Sequence, residues 1–168
     1  MKQIVFVLMA GSLLTACANT SATEKPQATI LETLETNKPI QKTKASIVDY
    51  IKLKDVFVKS DAKAASEAAA QLSKSLVADG MSKDLIKAAD AIAASSDLEA
   101  QRKSFKVITD KLIEYVKANG SGQTVFVQYC PMAFGNTGAS WLSDSKEVLN
   151  PYFGNRMLRC GTVKEVIN

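Results

Sequence analysis

From about Ala45 to Asn119, apolar residues recur every three or four positions, and at Gly120-Ser121-Gly122 the pattern stops. A period of that length lines up one stripe of side chains along each helix. Nearly half the chain is therefore restricted to helices packed against helices. Ile47, Tyr50, Ile51 and Val58 lie near helical spacing, and Leu53, Val56 and Phe57 widen the face, as expected of a helix contacted from more than one side. Ser60 is expected to cap a second helix, whose Ala65, Ala68, Ala69, Leu72 and Leu76 form a narrow seam ended by Gly80. Ser82 is expected to cap a third, with Leu85, Ile86, Ala89 and Ile92 turned inward. Ser96 and Glu99 have capping-box spacing for a fourth, which carries Leu98, Phe105, Ile108, Leu112, Tyr115 and Val116. Four such helices joined by short turns favour an up-and-down antiparallel bundle over residues 45–120.

After the glycine-serine linker the chemistry changes. Thr124 to Tyr129 is dense in β-branched and aromatic residues and reads as a strand, while Asn136 to Ala139 and Asn150 to Gly154 read as turns. Gly135, Gly138, Gly154 and Gly161 fall in this tail, together with the single tryptophan, Trp141. Burial is expected for that ring. The expected fold class is mainly α, a four-helix bundle with a loop-rich C-terminal segment, residues 121–168, containing a short β-hairpin. Thr124 to Cys130 is expected to pair with an extended piece near Met157 to Val163, which would bring Cys130 and Cys160 together.

The N-terminal residues read as an address. Lys2, an apolar run from Ile4 to Leu14 and small residues before Cys17 have the layout of a secretory signal, too short for a permanent membrane span. Leu14-Thr15-Ala16-Cys17 looks like the lipobox of bacterial lipoproteins. On that reading residues 1–16 are removed, Cys17 carries the lipid, and residues 17–44, with Pro26 and Pro39, form a tether. The expected location is the cell envelope, and the periplasmic side of the outer membrane is favoured because Ala18-Asn19 lacks an inner-membrane retention aspartate. In such a compartment disulfides persist, and Cys130 and Cys160 are the even pair left once Cys17 is lipidated.

Composition narrows the chemistry. The chain contains no histidine, so no Ser-His-Asp or Cys-His unit and no imidazole-ligated metal is possible. A net charge of +4 is too mild to announce a nucleic-acid partner. No phosphate-binding glycine loop, nucleophile elbow or Cys-x-x-Cys is present. The expectation is a non-enzymatic protein with no catalytic and no organic-cofactor site.

The tail carries an ordered set: Tyr129-Cys130-Pro131-Met132, Trp141-Leu142-Ser143, Asn150-Pro151-Tyr152-Phe153-Gly154 and Met157-Leu158-Arg159-Cys160-Gly161. With the helices before it, roughly residues 45 to 165, this resembles the bacterial family known as domain of unknown function 3347. The resemblance implies exported lipoproteins, or a C-terminal module on adaptor subunits of heavy-metal efflux pumps, with envelope efflux components as partners. Members often carry histidine immediately before Cys-Pro-Met; Tyr129 stands there instead, so a metal site would have to be built from sulfur. Cys130, Met132, Met157 and Cys160 would offer soft ligands suited to Cu(I). The alternative is a permanent Cys130–Cys160 disulfide in a structural or protein-interaction lipoprotein, with the surface around Trp141 and Tyr152 meeting a partner. Free or exchanging thiols are a third state of the same pair. Pro131, Pro151 and Gly154 read as backbone-shaping residues, and Asn150 as the closer of an Asx turn.

Overall fold

A computed structural model describes residues 42–168. The expected signal segment, the Cys17 lipidation site and nearly all of the tether lie outside the described residues. Four helices come first: α1 (Ala45–Lys59), α2 (Ala62–Ala78), α3 (Lys83–Ala93) and α4 (Leu98–Asn119). Each packs on the next in sequence, as short connections demand. The seam read from the sequence is the core: Ile47, Tyr50, Leu53, Phe57, Ala65, Ala69, Leu72, Leu76, Leu85, Ala89, Ile92, Phe105, Ile108, Leu112 and Val116 are all buried. Alanines at 65, 69 and 89 let the backbones approach, and the aromatic rings fill the opposite side, where Tyr50 stacks on Phe105 at 5.1 Å and Phe57 lies 4.9 Å from it.

The helix ends depart from expectation at two places. Asp61, not Ser60, caps α2, accepting from the Ala64 amide at 2.9 Å. Ser60 instead closes α1 in the left-handed conformation, at φ 58°. Asp97, not Ser96, caps α4 and accepts from the Glu99 and Ala100 amides. In both cases a carboxylate stands beside a hydroxyl, and its full negative charge at the positive end of the helix dipole decides between them. Ser82 does occupy the cap position of α3, without a side-chain bond. Gly80 ends α2 as expected, with the Met81 amide reaching back to Leu76 O and the Gly80 amide to Val77 O, the paired bonds of a Schellman turn.

One polar cluster lies among these helices. Asp49 is 6% exposed. Its carboxylate accepts from Lys52 at 2.8 Å, Ser75 at 2.5 Å and Gln71 at 3.4 Å. Burial alone would push its pKa up, but these donors outweigh burial and hold it below 3.8. A depressed folded pKa means that the stabilisation is complete above 3.8 and is lost as pH falls through the lower, folded value. Asp49→Asn should therefore cost about 1–3 kcal/mol at neutral pH and shrink the loss of stability as pH falls below 3.8, measured by urea unfolding on both sides of that value.

The tail adds a three-stranded antiparallel sheet rather than a hairpin, in the order β2-β1-β3, with β1 Val125–Cys130, β2 Ala139–Ser143 and β3 Thr162–Ile167. β1 pairs with β2 from Phe126 opposite Ser143 to Cys130 opposite Ala139. The partner expected between Met157 and Val163 is shifted toward the C-terminus: only Thr162 and Val163 of that stretch are in β3, which continues to Ile167. Residues 157–161 form a turn instead, with Cys160 N–H donating to Met157 O at 3.0 Å. β2 escaped the reading because Ala139 and Ser140 have weak strand preference. Its place comes from burial, since Ala139, Trp141, Leu142 and Ser143 are all interior. β2 rests on α4 and α1, where the Tyr50 hydroxyl accepts from the Leu142 amide at 3.2 Å.

Candidate functional site

Cys130 ends the central strand, where it pairs with Ala139 of β2, and its side chain is fully buried. Cys160 arrives from the other direction, at the end of a loop shaped by Asn150. The Asn150 carbonyl oxygen accepts from the Tyr152 and Phe153 amides at 2.8 and 3.2 Å, the Asx turn expected before Pro151. Its amide nitrogen donates to Cys160 O at 2.7 Å, and its backbone N–H to Leu158 O at 2.8 Å. One buried side chain thus sets both ends of the loop. Gly161 lets the chain pass under the indole: a Cβ there would sit 2.8 Å from Trp141 Cη2 and 3.0 Å from Tyr129 O.

The result is a pair of sulfur atoms 2.8 Å apart, from residues separated by 30 positions. The Met132 amide donates toward the Cys160 sulfur. Hydrogen bonding with Cys130, then burial, then the charge of a neighbouring thiolate push the Cys160 thiol above its ordinary value of 9.0. That shift favours the thiol form of a reduced Cys160, which disfavours nucleophilic attack and metal ligation by its sulfur.

Of the four sulfur residues singled out in the sequence, the fold brings the two cysteines into contact. The methionines join them through their backbones. Met132 is 45% exposed, and Met157 is half-buried. Among the described residues, no three Cys, Asp or Glu side chains converge as a metal-binding group.

Trp141 and Tyr152 are interior, at 0% and 3% exposure, so the partner surface expected around them is not made by their rings. Tyr152 links the two halves of the fold. Its ring lies 5.8 Å from Phe105, 5.1 Å from Phe134 and 6.1 Å from Trp141, and its hydroxyl donates to Ser140 O at 2.6 Å. The turn between β1 and β2, Ala133–Asn136, holds Phe134 at φ 50° in the left-handed region, which non-glycine residues seldom adopt.

Arg102 escaped the sequence reading. It is 1% exposed on α4, and donates from Nε to Pro151 O at 2.9 Å, from Nη1 to Glu99 at 3.0 Å, and from Nη2 to Phe57 O at 3.3 Å and Ser60 Oγ at 3.0 Å. It fastens the end of α1 and the tail to α4. Burial lowers its pKa and the Glu99 carboxylate opposes the shift. The available signal was a polar residue inside the inward stripe, between Leu98 and Phe105.

A family model described as "Protein of unknown function (DUF3347)" matches residues 47–124. Over that stretch the chain matches the DUF3347 family. The matched part covers α1 to α4 and ends just before β1, whereas the resemblance read from the sequence spans residues 45 to 165 with its weight between Cys130 and Gly161. The DUF3347 match thus rests on the helices, and the sulfur pair lies outside it. No curated protein and no solved structure matches the chain.

Proposed function

We propose that this protein is a non-enzymatic, lipid-anchored structural or protein-interaction module of the bacterial cell envelope, its C-terminal segment locked by a Cys130–Cys160 disulfide. One observation carries the reading: two cysteines 30 residues apart have their sulfurs in contact, one of them fully buried. An exported chain with its sulfurs so placed forms the bridge, because the envelope is oxidising and loop closure has already been achieved by the fold. The lipobox-like Leu14-Thr15-Ala16-Cys17 supports the anchor, and the periplasmic face of the outer membrane is its favoured site. Labelling with a radioactive fatty acid tests it: the wild-type chain should take up label and sediment with membranes, and Cys17→Ser should do neither. A wild-type chain recovered unlabelled in the soluble fraction would remove the anchor.

One observation favours a second reading, soft-metal handling alongside envelope efflux components. Met132, whose amide reaches the Cys160 sulfur, leaves its thioether 45% exposed beside the half-buried Cys160. Reduced, the two thiols with Met132 and Met157 form a donor set suited to Cu(I). With metal–sulfur bonds of about 2.3 Å, two ligating sulfurs stand roughly 3.8 Å apart, so the pair would have to open by about 1 Å. Titration of the reduced chain with Cu(I) decides this reading: stoichiometric uptake lost in Cys130→Ser supports it, and the absence of uptake excludes it.

A further inference from the structure

β3 is an edge strand, and Thr162 to Val166 are exposed on both faces. Val163 and Val166, at 37% and 49%, are two of the exposed large apolar side chains among the described residues. An edge with free backbone groups and exposed valines is a template for another strand. The sequence Thr162-Val163-Lys164-Glu165-Val166-Ile167 says which one.

Read against itself in reverse, it sets Lys164 opposite Glu165 twice, Val163 opposite Val166 twice and Thr162 opposite Ile167 twice. In a regular strand this pairing is impossible around a two-fold axis perpendicular to the sheet. Residues at odd separation lie on opposite faces, while directly opposed residues must share one. Here the register shift removes the obstacle. Gln128 pairs with Val163 and Val127 with Glu165, leaving Lys164 as the extra residue of a bulge. Val163 and Val166 therefore lie on the same face, that of Gln128 and Phe126, while Thr162, Glu165 and Ile167 share the other, that of Tyr129, Val127 and Val125. Lys164 leans to that second face, its ammonium 5.6 Å from the centre of the Tyr129 ring. Every opposed pair in the reversed register then shares a face.

We infer that β3 is the contact strand of a two-fold dimer, pairing antiparallel with β3 of a second copy so that Lys164 of each meets Glu165 of the other. Two six-residue edges bury less than the roughly 1,000 Å² of a stable interface, so the dimer forms weakly, at high protein concentration. Glu165 already holds Lys117 within its own chain, at 2.5 Å. That bond supplies the control.

The test is sedimentation equilibrium of the full chain in detergent micelles, at increasing concentration, with far-UV circular dichroism to verify folding. Wild type should self-associate to a dimer. Lys164→Glu and Glu165→Lys each set like charges opposite one another twice, and each should weaken association by about tenfold. The double exchange, Lys164→Glu with Glu165→Lys, should restore it, although the contact with Lys117 stays broken. That rescue separates pairing between copies from a contact within one chain. A chain that stays monomeric throughout, including one whose β3 amides are protected only when a different protein is added, overturns the inference. So does association equal in all four proteins, or a double exchange as weak as the single variants.

Discussion

Arg102→Ala is expected to destabilise the protein by about 3–5 kcal/mol, among the largest losses any single replacement here can cause. Arg102 is buried, and its guanidinium serves two buried carbonyls, Pro151 O in the tail and Phe57 O at the end of α1, and the half-buried Ser60 Oγ. Alanine removes every donor at once: Pro151 O loses the Arg102 bond, at about 1–3 kcal/mol for a buried group left unpaired, Phe57 O keeps only the Ser60 amide, and a cavity is added. Loss of the single Glu99 contact would not matter much, since that carboxylate is 56% exposed and also binds Arg156. Arg102→Lys should recover only part of the loss, because one ammonium cannot span α1, α4 and the tail as a planar fork does. Urea unfolding measures both. A midpoint for Arg102→Ala within about 1 kcal/mol of wild type would show that the tail docks without this fastening.

Reduction of the proposed Cys130–Cys160 bridge should remove about 3.5 kcal/mol, the chain-entropy value for a loop of about 30 residues. The loop encloses β2, the Asn150 turn and Trp141, so most of the tail is inside it. Its apolar contribution is concentrated in a few side chains, Trp141, Leu142 and Tyr152 above all. Cys130→Ser with Cys160→Ser should unfold at the same urea concentration with and without reductant, close to that of reduced wild type. Wild type should shift between the two conditions. Equal midpoints for oxidised and reduced wild type would mean that the hydrogen bonds of Asn150 and the packing of Trp141 suffice to hold the tail.

The bundle was legible because its information is periodic. Leu72, Leu76, Leu85, Ile92, Phe105, Ile108 and Leu112 announce their inward face through spacing alone, and all are buried. Caps were less legible: at Ser60-Asp61 and Ser96-Asp97 two competent residues stand side by side, and local preference does not rank them sharply. The approach of Cys130 to Cys160 was legible from their even number and from the strand before Cys130. The route was not. β2 owes its strand form to α4 and α1 beneath it, and Thr162 starts β3 because the Cys160 turn and Gly161 come first. Arg102 was hidden by its own chemistry, since an arginine in a helix ordinarily reaches for water. Its burial becomes intelligible only when Pro151 O, far away in sequence, arrives over α4. The candidate site residues were easier to find than their supports, because thiols are rare and hydrogen-bonded carbonyls are everywhere.

The most direct test of the central claim is peptide mapping by mass spectrometry of the chain exported in its host, alkylated before any reductant is added. One peptide pair joined through Cys130 and Cys160 is expected, separating only on reduction, with neither cysteine alkylated beforehand. Recovery of both cysteines in alkylated form, from protein that is folded and exported, would contradict that claim.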